Sequence, residues 1–393
     1  MALIDTLQTG ADGGLHARAS QAAAELQGAR LWAGAARIVS SSVDEGRFVT
    51  ATRSEAARDV ATISITADIV ARHLDWLDRQ THDLVIGEIR RRPDRWRVPL
   101  RNAVSTRGGA SQAHAARMLD EVGALEDIAL LRNQARATKG GHFPPAAGRA
   151  LSRRLAPLAF IDDLGRVRIS IGGRSVDGTG VRRKVMALIC FLLTKPKFAA
   201  ARDEVLEAIW PDLEPSTALN SLNQTVYFLR RVFEPQFSED TTPGYVGQDG
   251  ETLWLDWDLV LSRSRKCRDL VRVIATPADP ILVMELADAY HGRFALDFLY
   301  EDWASTFRDS LHAAYLKVVE LALRSDTDSG HYERGIKLAQ VAIDADPEAE
   351  ELQMALTRLY RFSGSLAAAS EQYQSYARSQ RELGMEPEAF DHI

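Results

Sequence analysis

Cysteine is nearly absent from this chain of 393 residues, which contains only Cys190 and Cys267. Neither cysteine belongs to a CxxC pair or lies beside a histidine cluster, so the sequence gives no sign of a zinc ribbon or a disulfide scaffold. Cys190 stands inside an apolar segment, where we expect a small core residue. The sequence therefore predicts no metal and no cofactor.

The motifs of common enzyme sites are missing as well. The sequence has no GxxxxGK[ST] phosphate loop, no GxGxxG after a strand, no GxSxG and no HExxH. Asp162 with Asp163, and Asp256 with Asp258, have no nucleophile, metal ligands or phosphate loop near them in sequence. We interpret these acids as loop and cap residues, and we predict that the chain is not an enzyme.

Long hydrophobic runs are also lacking. No apolar stretch reaches the roughly 20 residues that span a membrane, and the first residues do not combine a basic region with an apolar core. These features predict a cytoplasmic protein without a membrane partner. The composition is typical of a globular protein, at 46% hydrophobic and 26% charged residues, and the length indicates about two to three domains.

A strong positive charge is the last feature that the chain lacks. The net charge of −6 argues against a nucleic-acid coat but leaves room for a local basic face. Residues 149–235 carry 14 Lys and Arg against nine Asp and Glu, whereas residues 259–393 carry 15 against 22. A basic middle beside an acidic C-terminal third favours separate DNA-facing and protein-facing modules.

Pro215–Phe233 has the clearest helical pattern. Apolar residues recur at spacings of three and four and predict one buried stripe, formed by Leu219, Leu222, Val226, Leu229 and Phe233. The opposite face has no acid and carries Asn220, Asn223, Gln224, Tyr227, Arg230 and Arg231. Amide side chains can pair with adenine edges, and arginine can bind guanine or phosphate, so this face is a candidate DNA-binding surface. The alternative is an ordinary solvated face.

The flanking sequence favours the DNA-binding interpretation. A strand pattern at 166–171 comes first, followed by an apolar helix at 181–194 and a short helix at 202–210. After the amide-rich helix, residues 243–246 and 252–255 bracket a turn at 248–250, which indicates a hairpin. This order is typical of a winged helix, in which the third helix can enter a major groove.

The chain also resembles a known family in a set of ordered segments. They are Arg182-Arg183-Lys184 followed by ALICFLL, DEVLEAIWPD at 203–212, ALNSLNQTVYFLRRVFEP at 218–235 and GYV at 244–246. Together they resemble the winged helix of the SARP-like bacterial transcriptional activators, a domain similar to the output domain of response regulators. The resemblance covers roughly residues 160–388, and the preceding region departs from the usual family layout.

The resemblance implies several partners and a C-terminal domain. It implies binding to double-stranded DNA at direct repeats by a head-to-tail homodimer. It also implies that residues 258–393 form a bacterial transcriptional activator domain (BTAD), a tetratricopeptide-type helical module that self-associates or contacts RNA polymerase.

A repeat in the C-terminal third agrees with this expectation. Gly330 and Gly364 lie 34 residues apart, the tetratricopeptide period. Turn, packing and stop positions of the motif are filled by Gly330, Tyr332, Ala342 and Pro347, and then by Tyr360, Gly364, Ala369 and Tyr373. Gly335 replaces the usual alanine with a still smaller residue. Such helices either form a concave binding surface or only pack and dimerise.

The N-terminal region has a helix-pair rhythm from about Thr81. Residues 115–123 and 127–131 resemble a HEAT-type repeat, with a plain helical bundle as the alternative. Earlier segments at 16–36 and 63–77 also have helical spacing, and residues 1–14 look frayed. Gly and Pro in TKGGHFPPAA at 138–147 predict an exposed linker.

The sequence thus predicts a mostly α protein. Its parts are a helical, HEAT-like region at 1–140, a linker at 141–157, a winged helix-turn-helix with small β-sheets at 158–257, and a BTAD or tetratricopeptide-like domain at 258–393. We expect a DNA-binding transcriptional regulator. The competing hypothesis is a protein-interaction scaffold whose winged helix does not bind DNA, because Asp249 and Glu251 stand in the hairpin where a wing would prefer Lys or Arg.

Overall fold

The computed structural model describes residues 67, 71, 74, 79–106, 109–137, 143–176, 180–274, 278–382 and 384–390. The chain forms two compact units, Met1–Ala156 with Phe237–Pro243, and Pro157–Gln236 with Gly244–Ile393. The predictions for residues 1–14 and 16–36 lie outside the described residues, as do most of 63–77. The prediction of a mostly α protein with small β-sheets is confirmed.

The first unit consists mainly of helices over its described residues. Its helices are α1 Arg79–Arg91, α2 Pro93–Thr106, α3 Ala110–Val122, α4 Leu125–Ala137 and α5 Arg149–Leu155. Leu100, Leu119 and Leu131 are fully buried in one apolar cluster. The buried carboxylate of Asp127 pairs with Arg101 on α2. The helix pairs follow the predicted rhythm, and a HEAT-type stack stays a prediction.

The predicted linker differs from the structure over residues 143–156. Phe143, Ala147 and Leu151 are buried in the first unit instead of forming an exposed connection. Gly148 adopts a left-handed φ of 87° and begins α5. The carboxylate of Asp120 accepts hydrogen bonds from the backbone N–H groups of Gly148 and Leu151, each at 2.9 Å. Glycine and proline are frequent both in exposed linkers and in tight turns, and here they form a packed turn.

A second segment of the first unit comes from far along the chain. In Phe237–Pro243, the carboxylate of Asp240 pairs with Arg136, and Arg132 lies 3.9 Å from the same carboxylate. The hydroxyl of Ser152 on α5 donates to the backbone oxygen of Thr241. These polar contacts fasten the segment to α4 and α5.

The second unit opens with a region of two small sheets and three helices, which we call the helix–hairpin region (residues 159–262). In chain order its elements are β1 Ala159–Asp162, β2 Arg168–Ile171, β3 Arg174–Val176, α6 Arg183–Thr194, β4 Ala199–Ala201, α7 Arg202–Ile209, α8 Pro215–Phe233, β5 Val246–Gln248, β6 Thr252–Leu255 and β7 Val260–Ser262. The first sheet has the order β3-β2-β1-β7, with β1 and β7 parallel. The second sheet has the order β4-β6-β5 and is antiparallel. The predicted order of a strand, three helices and a hairpin is therefore present.

The core of the helix–hairpin region forms around α6. Every residue from Val185 to Leu193 is buried, and α8 packs its apolar stripe against this helix. Leu222, Val226, Leu229 and Phe233 are buried, as predicted.

The prediction for Leu219 was wrong, because this side chain is 38% exposed. Ala218 takes the buried place in the first turn of α8. Consecutive residues are about 100° apart around a helix, so Leu219 is turned away from the core toward the polar side.

The rest of the second unit is helical. It comprises α9 Arg263–Val273, α10 Pro280–Ala289, α11 Asp302–Asp328, α12 Tyr332–Ala345, α13 Glu350–Phe362 and α14 Leu366–Glu382. Helices α11 and α13 end in the same way. Gly330 and Gly364 take left-handed φ angles of 73° and 79°. The N–H of His331 donates to the backbone oxygen of Asp326 at 2.8 Å, and the N–H of Ser365 donates to that of Tyr360 at 2.9 Å. Both helix ends are therefore Schellman motifs.

Gly335 permits a close approach of neighbouring helices. A Cβ atom at this position would lie 3.0 Å and 3.2 Å from the two methyl carbons of Leu359 on α13. The small residue that the sequence placed here therefore has a packing role, and the tetratricopeptide assignment stays a prediction.

Polar contacts join the first sheet to the C-terminal helices within the second unit. The buried Asp163 accepts hydrogen bonds from the hydroxyls of Ser262 and Ser264, at 2.8 Å and 2.6 Å, and from the N–H of Ser264 at 2.8 Å. Ser262 also caps α9. The predicted domain boundary at 257/258 lies before β7, the last strand of this sheet. It therefore separates β7 from β1, with which β7 pairs.

A buried arginine fixes the loop that pairs with this sheet. Leu164 and Phe294 form an isolated antiparallel bridge. Arg308 on α11 is 4% exposed and donates to four backbone oxygens of that loop. Its acceptors are Phe294 at 2.7 Å, Ala295 at 3.3 Å, Phe298 at 2.9 Å and Leu299 at 3.1 Å.

Candidate nucleic-acid interface

Helix α8 presents the predicted polar surface, which we call the amide face (Asn220, Asn223, Gln224 and Tyr227). The three amide side chains are exposed, and Tyr227 is 50% exposed. In the part of the chain that the structure describes, the amides of Asn220 and Gln224 have no hydrogen-bond partner. The face therefore offers unsatisfied donors and acceptors to a ligand.

The two predicted arginines of α8 are less accessible than the amides. Arg230 and Arg231 are both partly buried. The guanidinium of Arg231 stacks over the ring of Tyr227, with 3.7 Å between its Cζ atom and the ring centroid. Its Nη1 atom donates to the backbone oxygen of Tyr227 at 3.5 Å. Arg231 and Tyr227 thus form one stacked cationic–aromatic group at the C-terminal half of the face.

Two further arginines contact α8 from other elements, and sequence reasoning missed both of them as site residues. Arg182 precedes α6 and places its guanidinium 3.6 Å from the ring centroid of Phe228 on α8. Arg202 begins α7 and donates from Nη2 to Oδ1 of Asn223 at 3.2 Å. The motif Arg182-Arg183-Lys184 was a signal for the first arginine, whereas no local pattern marks Arg202.

Arg202 also contacts the hairpin turn. Its backbone N–H donates to the oxygen of Glu251 at 2.7 Å, and Nη1 donates to the oxygen of Gly250 at 3.3 Å. The preceding residue, Ala201, pairs with Thr252 between β4 and β6. Arg202 therefore connects the hairpin directly to the amide face.

The hairpin turn is shaped by one of its acids. Oδ1 of Asp249 accepts the N–H groups of Glu251 at 2.9 Å and Thr252 at 2.6 Å, and these bonds lower the pKa of the Asp249 carboxyl. A Cβ atom at Gly247 would clash with the indole of Trp254 on β6. Asp249 and Gly247 thus have conformational roles in the hairpin, whereas the exposed Glu251 contributes its backbone and a solvated charge.

The two cysteines and Asp256 have contacts that fit the structural roles expected from the sequence. Cys190 and Cys267 are fully buried, and burial raises the pKa of the Cys190 thiol and raises that of Cys267 to about 12. Burial therefore favours the protonated thiol in both residues, and the thiol is less reactive than the thiolate. Oδ1 of Asp256 caps the turn that follows β6 by accepting from the N–H of Asp258 at 3.0 Å.

The described residues contain no cluster of metal ligands and no helix that could cross a membrane. No group of three or more His, Cys, Asp or Glu side chains there could hold a metal ion. Within the same residues, every helix is too short or too polar to cross a membrane.

Comparison with known proteins identifies the C-terminal helices. Residues 281–390 match the model of the bacterial transcriptional activator domain. The chain therefore carries this domain, and its resemblance to the SARP-like bacterial transcriptional activators is confirmed in its C-terminal part.

One similar solved structure is that of Mycobacterium tuberculosis EmbR in complex with a low-affinity phosphopeptide. The match has 16% sequence identity and a TM-score of 0.43, and covers 60% of this chain. It spans 63% of the EmbR chain, which is less than two thirds of that length. No curated protein matches the chain.

Proposed function

We propose that this protein is a DNA-binding transcriptional regulator that places α8 in the major groove. The observation that carries the proposal is the exposed, acid-free amide face. An α-helix fits the major groove, where amide side chains can pair with base edges. The bacterial transcriptional activator domain at 281–390 supports a role in transcription.

The arginines around the amide face suit phosphate contacts. The first, Arg182, precedes α6, the second, Arg202, begins α7, and the third, Arg231, lies on α8 itself. Each of them contacts a side chain of α8. Phosphate contacts supply most non-specific affinity and fix the orientation of a protein on the duplex. We propose that Arg182 and Arg231 hold the helix in register while the amides discriminate bases.

The remaining parts then take auxiliary roles. The helix–hairpin region acts as a winged helix in which the β5–β6 hairpin approaches the DNA backbone. The C-terminal helices associate with a second copy of the chain or contact RNA polymerase. This assignment needs no catalytic step, and the absence of enzymatic activity stays a prediction.

The second candidate is a protein-interaction scaffold. It is favoured by two pairs of exposed acids: Asp212 and Glu214 shortly before α8 in sequence, and Asp249 and Glu251 in the hairpin turn that Arg202 connects to the amide face. Like charge would repel DNA phosphates at these points. The two candidates differ in whether the protein binds duplex DNA with a salt-dependent affinity.

A salt titration with one amide and one arginine variant tests the DNA-binding proposal. We expect Asn223→Ala to cost about 1–3 kcal/mol at a site selected from a random duplex pool, with little change on random DNA. Arg231→Ala should weaken binding to the selected site and to random DNA, and should reduce the salt slope by roughly one phosphate contact. Fluorescence anisotropy of labelled duplexes at several salt concentrations measures both effects.

The matched control for the amide is Gln374→Ala, which removes an exposed amide from α14. It should leave both affinities unchanged. If the wild-type chain shows no salt-sensitive binding to any duplex at low ionic strength, the DNA-binding proposal fails and the scaffold takes its place.

A charge reversal in the hairpin tests whether this element approaches DNA. Glu251→Lys should tighten non-specific binding and steepen the salt slope by about one contact, because it replaces a repulsive charge with an attractive one. Asp249 is unsuitable for this test, since its replacement would remove the two hydrogen bonds that shape the turn.

The control for the hairpin is Glu348→Lys, an equal charge change at an exposed position in the C-terminal domain. Equal effects of the two variants would mean that only net charge matters, and would argue against a hairpin contact.

A further inference from the structure

The contact between Arg202 and Asn223 fixes the orientation of one amide. A guanidinium group has five N–H donors and no acceptor. The atom of Asn223 that faces Arg202 Nη2 at 3.2 Å must therefore be the oxygen, Oδ1. This chemical argument settles the O/N assignment, which geometry alone often leaves open for an asparagine.

Arg202 is itself held in place from the hairpin side. Its backbone N–H is bonded to Glu251, and its Nη1 is bonded to the oxygen of Gly250. Its guanidinium therefore bridges the hairpin turn and α8, and its side chain has less freedom than a solvated arginine. The orientation of the Asn223 amide is consequently set by the hairpin through Arg202.

The other amides of α8 differ from Asn223. Within the described residues, Asn220 and Gln224 have no hydrogen-bond partner, so each can turn either its oxygen or its nitrogen toward a ligand. In Asn223, by contrast, the oxygen of the carboxamide already accepts a hydrogen bond from the guanidinium of Arg202. Among the same residues, no acceptor faces its Nδ2 atom, which remains available as a donor of two hydrogens.

This difference has a consequence for base recognition. An asparagine pairs with adenine by accepting from N6 through its oxygen and donating to N7 through its nitrogen. The Asn223 oxygen keeps one of its two lone pairs, but the contact with Arg202 fixes the amide orientation and leaves both hydrogens of Nδ2 unused, so this asparagine is better suited to donate. Guanine offers two adjacent acceptors, N7 and O6, which a single nitrogen can serve, as the ammonium of lysine does.

We propose that Arg202 is a specificity-determining positioning residue that makes Asn223 a hydrogen-bond donor and so selects guanine over adenine in the major groove. The proposal rests on the proposed DNA-binding function. Arg202 acts here through Asn223, and the base contact is made by the Nδ2 atom of that asparagine.

Selection from a random duplex pool with the full-length chain tests the proposal. The wild type should enrich guanine at one position that becomes degenerate with Asn223→Ala. With Arg202→Met, the ratio of guanine to adenine at that position should fall by roughly 10-fold, which is the size expected for one bidentate base contact. Arg202→Lys, which still donates to Oδ1, should keep the guanine preference.

Two controls separate this effect from a loss of charge or of folding. Arg174→Met removes an exposed arginine from β3, in the other sheet, and should not change the base preference. Asn223→Asp removes the donor and adds a negative charge, which should weaken binding at every sequence. It should replace the guanine preference by a preference for cytosine, whose N4 amino group donates to a carboxylate.

A base analogue then identifies the atoms. Replacing the selected guanine by 7-deazaguanine removes the N7 acceptor and should weaken wild-type binding about 10-fold, without affecting Asn223→Ala. A wild-type preference for adenine, or a guanine preference that survives in Arg202→Met, would overturn the role of Arg202. Absence of salt-sensitive binding in the wild type would instead overturn the proposed function itself.

Discussion

Replacing Arg308 by methionine is expected to lower the free energy of unfolding by roughly 2–4 kcal/mol. Arg308 donates to four backbone oxygens in the loop after α10. Two of these oxygens, on Ala295 and Phe298, also accept backbone N–H groups. The oxygen of Phe294 is buried and would lose its donor, which costs about 1–3 kcal/mol, whereas Leu299 is 49% exposed and its oxygen can turn to water at a smaller cost.

The loop has few other means of keeping its shape. Ala295 is fully buried and takes a left-handed φ of 47°, which disfavours any residue with a Cβ atom. Without the guanidinium of Arg308, fewer hydrogen bonds hold Ala295 in this strained conformation. The pairing of Leu164 with Phe294 should weaken as well.

Urea unfolding followed by tryptophan fluorescence and circular dichroism measures the effect. Arg324→Met is the matched control, because it removes an exposed arginine from the same helix. Its midpoint should stay close to that of the wild type. An Arg308→Met variant as stable as Arg324→Met would show that the four hydrogen bonds do not hold the loop.

Leu222→Ala is expected to destabilise the protein by about 2–5 kcal/mol. Leu222 is 2% exposed and lies on the side of α8 that packs against α6. Truncation would leave a cavity between two helices that already hold well-packed neighbours, including Val226 and Leu229, so the site cannot easily collapse.

Leu219→Ala is the comparison for Leu222, since both remove the same atoms from the same helix. Leu219 is 38% exposed, so its truncation should change stability by much less than that of Leu222. Thermal unfolding of both variants measures the difference. Equal losses would mean that the orientation of α8 about its axis differs from the one described.

Periodicity predicted the helices of the second unit because their apolar faces are long. Leu222, Val226, Leu229 and Phe233 repeat over about three turns of α8 and remain a clear apolar stripe although Leu219 is exposed. The strands were harder, since β1, β4 and β7 contain only three or four residues. β7 joins the first sheet by pairing with β1, about 100 residues earlier, and no local pattern encodes such a pairing.

The candidate site was predictable to the extent that it lies on one helix. Asn220, Asn223, Gln224 and Tyr227 share a face because of their spacing alone. Arg182 contacts Phe228 and Arg202 contacts Asn223 from other elements, so their roles depend on how the helices and the hairpin pack.

The predicted linker illustrates the opposite difficulty. Glycine and proline near Gly148 indicated a break in regular structure, which is present, but they could not indicate whether the broken segment is buried. The burial of Phe143 and Leu151 depends on contacts with residues of other helices.

The buried carboxylate of Asp163 decides where this protein can be divided for expression. A fragment that ends at residue 257 would lack β7 and the Ser262 and Ser264 donors, and would leave an acid without partners inside the sheet. Extending the fragment through α9 restores those donors but still omits Phe294, which pairs with Leu164. The smallest soluble fragment with an intact α8 should therefore extend past Arg308, well into the C-terminal helices.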